Sequence, residues 1–186
     1  MTDWESIVRD HGPAVWRTAH RLLGNRADAD ECFQETFADA VEFTRRKIAP
    51  VREWRALLVR LSTARAVDRL RQRIRRTSQE ISGDVIGYLS DPHLDSRPTD
   101  RAEQAEMSAR LRVALTHLPP KQADAFCLHC LEGWSYREVA DQMNESADHV
   151  GVLIHRARAA LKAQLAIVLL DEAKAGAGES NKVSHE

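Results

Sequence analysis

Cysteine, glycine, proline and aromatic residues are all scarce in this chain of 186 residues. Three cysteines, an odd number without framework spacing, exclude a disulfide-stapled scaffold and lead us to expect a reducing, cytoplasmic setting. Aromatics make up only 5% and long β-branched runs are missing, which counts against sandwiches and barrels. No apolar run approaches the roughly 18 residues of a membrane span, so no membrane insertion is expected. The acidic start MTDWESIVRDHG has no apolar stretch of the kind a secretory leader needs. There is no Walker loop, no GxGxxG and no HExxH, and His20, His93 and His117 stand apart. Nothing gathers a nucleophile, a base and an orienting group, so we expect no enzyme, no catalytic residue and no cofactor. Cys127-Leu-His-Cys130 has metal-like spacing, but a structural zinc site needs four ligands and no second CxxC or HxxxH supplies them. Both cysteines fall on an apolar helical stripe, as Cys32 does, and read as core residues with no metal.

What is present is helical. Hydrophobic residues make up 43% and charged ones 30%, the balance of a foldable chain in which Ala, Leu and Arg dominate. We expect an all-α protein. The net charge of −1 conceals a strong segregation. Residues 1–44 carry nine acids against four bases, residues 45–76 twelve bases against two acids, and residues 77–110 seven acids against three bases. A positive field this concentrated suits nucleic acid, an anionic membrane or an acidic protein; a solvated helix face is the plainer alternative.

Periodicity places the helices. Gly12-Pro13 is read as a helix start, followed by Val15, Ala19, Leu22 and Leu23 and a stop at Gly24-Asn25. Ala29, Cys32, Phe33, Thr36, Phe37 and Ala40 form one core stripe, with Asp28 and Asp30 in the first turn, where the helix dipole favours acids. A long helix from about Val51 to Arg75 carries an apolar side from Trp54 to Ile74 and a positive stripe of Arg65, Arg69, Arg73 and Arg76. Residues 77–104 lose the helical period and read as a flexible acidic linker. Beyond them, Met107, Leu111, Leu115 and Leu118 lead to Pro119-Pro120, and Ala123, Phe126, Cys127, Cys130 and Leu131 lead to Gly133. Ser135-Tyr-Arg-Glu138 is a capping box opening a short helix. Asn144 suits a left-handed turn, and Ser146 caps a final helix. A short helix, a tight turn and a second helix make a helix-turn-helix. The tail 173–186 is expected to be disordered.

Three segments together resemble the extracytoplasmic-function group of bacterial sigma factors, the promoter-recognition subunits of RNA polymerase. Asp28-Ala-Asp-Glu-Cys-Phe-Gln-Glu-Thr-Phe37 is similar to the family's acidic helix. Trp54-Arg-Ala-Leu-Leu-Val-Arg-Leu with Ala66-Val-Asp-Arg-Leu-Arg71 is similar to its basic helix, with Trp54 at the usual Phe. Leu118-Pro-Pro-Lys-Gln122, Leu131-Glu-Gly-Trp-Ser-Tyr-Arg-Glu-Val-Ala140 and His155-Arg-Ala-Arg-Ala-Ala-Leu161 resemble its last unit. The resemblance implies two small helical domains, 1–76 and 105–172, joined by the linker 77–104. The first would bind the polymerase clamp and the −10 element, the second the polymerase flap and the −35 element.

That resemblance assigns partners and residues. Core RNA polymerase would meet Asp30, Glu31, Gln34 and Glu35, a surface suited to an Arg-rich helix. Promoter DNA at −10 would meet Lys47, Arg52, Arg65, Arg69 and Arg73, with phosphates along the arginine stripe and an unstacked base near residues 44–53. Trp54 could wall that base but fits the core better at its spacing. The −35 set is Ser135, Tyr136, Arg137, Asp148, His149, Val152, His155, Arg156 and Arg158. Here the sequence departs from the family: His149-Val-Gly-Val-Leu153 replaces small polar and basic residues, and Gly151 stands where Lys is common. An anti-sigma factor is a further implied partner. The expected function is an alternative sigma factor; the alternative is a sigma-like helix-turn-helix regulator that does not initiate transcription.

Overall fold

The computed structural model describes residues 2–46, 51, 53–80 and 98–179, of which 78–80, 98–103 and 167–179 are described by their backbone alone. Lys47 and Arg52, most of the expected linker (81–97) and the end of the tail (180–186) lie outside the described residues. Among the described residues every regular element is helical: α1 (Trp4–Leu23), α2 (Arg26–Arg46), α3 (Trp54–Glu80), α4 (Pro98–Thr116), α5 (Pro120–Phe126), α6 (Tyr136–Met143) and α7 (Ala147–Glu179).

Pro13 does not start a helix. It lies inside α1, which begins nine residues earlier, where Asp3 accepts from Ser6 N at 3.2 Å and from Ser6 Oγ at 2.7 Å. An interior proline forfeits a helical hydrogen bond at a cost of about 3 kcal/mol. Packing on both sides offsets it: Ile7 and Val15 are buried, and the Trp4 ring meets Trp54 edge-on at 5.3 Å. Gly24 ends α1 in the left-handed conformation, φ 75°, its N–H donating to His20 O. Asn25 then caps α2, accepting from Asp28 N at 2.8 Å.

The α2 stripe holds as read, with Ala29, Cys32, Thr36 and Ala40 fully buried. Helix α3 is buried on more than the one stripe: Val59, Ser62, Thr63 and Ala66 are buried with Leu57, Leu58, Val67 and Leu70. Ser62 Oγ donates to Val15 O of α1 at 3.2 Å, while Val59 joins the core of the second helical unit. One side packs on α1 and α2; the other receives the second helical unit. Trp54 belongs to the core formed with Trp4, Phe33, Phe37 and Leu58.

The two units therefore pack together. A single core joins Leu22, Leu23, Val67 and Leu70 to Ala109, Leu115, Leu118, Cys127 and Leu161. Arg71 donates from Nη2 to Leu118 O at 2.9 Å and from Nε to Thr116 O at 3.4 Å. Arg21 donates to Leu131 O and pairs with Glu132 at 3.2 Å. Helix boundaries run past those expected: α3 continues to Glu80, α4 begins at Pro98, and the α7 backbone continues to Glu179, into the segment expected to be disordered. The stripe 123–131 is interrupted as well, since Cys127–Leu131 widens into a π-helical turn that lets Glu132 N bond Cys127 O.

Candidate nucleic-acid interface

The helix-turn-helix forms for the local reasons its residues supply. Ser135 Oγ accepts from Glu138 N, while Glu138 Oε2 accepts from Ser135 N at 2.8 Å and Oγ at 2.7 Å. These contacts hold the Glu138 carboxyl below its ordinary range. Ser135 is thus occupied as a cap. Asn144 ends α6 at φ 55°, and Ser146 Oγ accepts from His149 N at 3.1 Å at the start of α7. Val139, Ala140, Val150, Leu153 and Ile154 lock the two helices through one apolar seam with Leu128 and Trp134.

All nine expected −35 residues are exposed, and α6 and α7 bring most of them to one surface. Tyr136, Ala147, Asp148, Gly151, Val152, His155 and Arg156 line a shallow depression of about 360 Å³. His149 stands 3.8 Å from Glu145, whose carboxyl Lys121 holds below its usual range through a 2.5 Å contact. Arg158 is exposed but does not line this depression; it donates to Cys130 Sγ at 3.3 Å.

The arginine stripe of α3 is engaged by α2. Arg65 forks onto Asp39 at 2.5 and 2.6 Å; Arg69 bridges Glu31 and Glu35, each at 2.8 Å; and Arg73 reaches Asp28 at 3.2 Å. Arg69 holds Glu31 below its ordinary range, and the two carboxylates hold Arg69 protonated even more firmly than usual. Three of the arginines expected on phosphates thus pair with four acids of α2, of which Glu31 and Glu35 belong to the set expected on polymerase. Arg75 and Arg76 are exposed beyond this zipper, with Arg76 lining a cleft beside Arg73 and Gln72. Of the polymerase set, Asp30 accepts from Trp16 Nε1 at 2.6 Å and lies 3.7 Å from Arg26, while Gln34 projects into solvent.

Cys32 and Cys127 are buried, which pushes both thiols up; Cys130 is half-buried beside Arg158. Among the described residues no group of His, Cys, Asp and Glu is arranged to hold a metal, and no helix is long and apolar enough to cross a membrane.

Residues 7–76 match the family described as Sigma-70 region 2, and residues 108–161 match Sigma-70, region 4. The first match covers α1 to most of α3; the second covers the helix-turn-helix. The chain belongs to the extracytoplasmic-function group of the sigma-70 family. It is 32% identical over 167 residues to the ECF RNA polymerase sigma factor SigE of Mycolicibacterium smegmatis, covering 89% of this chain and 63% of that protein. It is 26% identical to SigW of Bacillus subtilis, covering 86% and 87%. The fold resembles that of the sigma factor RpoE from Bartonella quintana, solved in complex with the anti-sigma factor NepR, at a TM-score of 0.53 and 17% identity, over 90% of this chain and 99% of that one. The chain spans less than two thirds of the SigE length.

Sequence reasoning placed Arg76 in the positive stripe but missed Arg75 and the second buried side of α3. Arg75 stands in the same positive block. The buried side was not legible, because Val59 stands alone off the apolar stripe and its buried neighbour Thr63 carries no hydrophobic signal.

Proposed function

We propose that this protein acts as an alternative sigma factor: it binds core RNA polymerase, directs it to promoters in the cytoplasm and helps open the −10 region, without catalytic chemistry of its own. The observation that carries this reading is a chain holding sigma regions 2 and 4 in order, with a well-capped helix-turn-helix on which His149, Val152 and His155 are exposed. The polymerase clamp is assigned to the α2 surface with Asp30, Glu31, Gln34 and Glu35. Contact with −10 DNA is assigned to the 44–53 segment, with Lys47 and Arg52, and to the stripe of Arg65, Arg69 and Arg73 that Arg75 and Arg76 extend. The −35 contact is assigned to α6 and α7, with Arg137, Arg156 and Arg158 on phosphates and His149, Val152 and His155 toward base edges. An anti-sigma factor is the expected inhibitor, since α2 and α7 surfaces must both be free for a promoter complex.

The test is in vitro transcription with core polymerase and genomic promoter fragments. Specific transcripts that depend on this protein are expected. The variant Gln34→Ala with Glu35→Arg should lose core binding in pull-down while keeping wild-type helicity by circular dichroism. Unchanged pull-down would remove the clamp assignment, and DNA binding without any transcript would remove the initiation function.

A further inference from the structure

The depression on the helix-turn-helix has an unusual make-up for a surface that meets DNA. Its walls are the two exposed large apolar side chains of this region, Tyr136 at 41% and Val152 at 44% exposure. Its floor is Ala147 and Gly151. Gly151 has a helical backbone and needs no glycine for its conformation; what its missing side chain provides is room. A Cβ there would sit 3.6 Å from Tyr136 Cε2, in ordinary contact, so a side chain at 151 would take up space beside the ring. The ring is held from behind by His129, edge-on at 4.7 Å, and His129 Nδ1 is itself 2.6 Å from Trp134 O. Tyr136 and Val152 are therefore two faces of a fixed apolar notch.

The polar groups at the rim narrow what the notch accepts. Residues 147–154 contain no Arg or Lys, the side chains that read guanine O6 and N7 in the major groove. Asp148 repels phosphate and His149 leans toward Glu145. Arg156, assigned to the backbone, and His155 lie one turn further along and line the same depression. The one base-edge feature that is read without a hydrogen bond is the C5-methyl of thymine.

We propose that this notch is a thymine-methyl reader: Tyr136 and Val152, brought together across Gly151, enclose the C5-methyl of a thymine in the −35 element. The protein thereby selects a T·A pair where a helix bearing lysine at position 151 would select guanine. The proposal rests on the −35 reading above and sharpens it to a base and a group. Burial of one methyl is worth about 0.8 kcal/mol, close to a fourfold change in affinity.

The experiment uses the full-length protein in holoenzyme with core polymerase. A random duplex library is enriched on it, and the best sequence is resynthesised with deoxyuridine in place of each upstream thymine in turn, which removes only the methyl. One position should lose about three- to fivefold in affinity with wild type and less than about 1.5-fold with Val152→Ala. Arg156→Ala should weaken thymine and uracil probes equally. A uracil scan that is neutral at every position, with the enriched probe still preferred over a scrambled one, overturns the methyl reader and leaves the −35 reading standing. A uracil loss equal in wild type and Val152→Ala also overturns it, since the methyl would then act elsewhere. Failure to enrich any sequence removes the −35 reading and the methyl reader with it.

Discussion

Gly24 and Asp124 show how single positions set the stability of this protein. At φ 75° Gly24 occupies backbone that a side chain resists, and a Cβ would meet the Arg112 guanidinium at 2.6 Å. The guanidinium can swing aside, so backbone strain dominates, and Gly24→Ala should cost about 1–2 kcal/mol. A lower midpoint in denaturant with an unchanged slope is the expected readout. Asp124 is half-buried on α5 where it faces α3, and desolvation pushes its carboxyl up to about 6; Arg60 and Arg71 pull it down while Asp68 pushes it up. Its folded value lies above the unfolded value near 3.8, so the folded state binds the extra proton between these two values. Stability from this group is therefore fully present below about pH 4 and declines as pH rises through 6. At neutral pH the buried charge costs on the order of 1–2 kcal/mol after solvent screening. Asp124→Asn should raise the melting temperature at pH 7 and flatten the profile between pH 4 and 6; a melting curve unchanged at pH 7 would show that Arg60 and Arg71 already compensate the charge.

At the scale of helices, the zipper between α2 and α3 changes what the basic block can do. Phosphate contacts contribute about −0.9 each to the salt slope on duplex DNA, but only for charge that is available. Arg65 is already neutralised by Asp39, whereas Arg76 is exposed with no ion-pair partner among the described residues. Arg76→Ala should flatten the salt dependence of holoenzyme–promoter binding by about one unit, and Arg65→Ala by less than half of that. Equal slopes for the two variants would mean that the zipper opens on DNA. The capping box of α6 is a second helix-scale determinant: Ser135→Ala should cost about 1 kcal/mol and weaken −35 binding through the angle at which α6 enters, without altering base preference.

Across the whole molecule, the two sigma units share a core, and Arg71 satisfies carbonyls of Thr116 and Leu118 from the other unit. Removing a donor from half-buried carbonyls costs about 1–3 kcal/mol each. The variant Arg71→Ala with Arg21→Ala should open the units, seen as a larger radius of gyration in small-angle X-ray scattering while circular dichroism keeps its helical signal. An unchanged radius would assign the closure to the apolar contacts of Leu115, Leu118 and Leu161 alone.

Composition and periodicity determined the all-α class, the α2 stripe, the capping box and the helix-turn-helix, because each depends on residues within a few positions of one another. The Gly24 stop and the Asn144 turn were legible for the same reason: a left-handed residue is a local requirement. What only the tertiary structure decided is which surfaces meet. Pro13 sits within α1 because Trp4 and Ile7 find partners on other helices, and no local signal outweighs a proline. The arginine stripe reads as free charge until α2 lies beside it, since ion pairing between helices 26–38 residues apart leaves no mark on either helix. Tyr136 and Val152 become one notch only when α6 folds across α7 at Gly151. Periodicity reports which side of a helix is apolar; the partner that covers it, and the charge that cancels it, are set by packing at a distance in the chain.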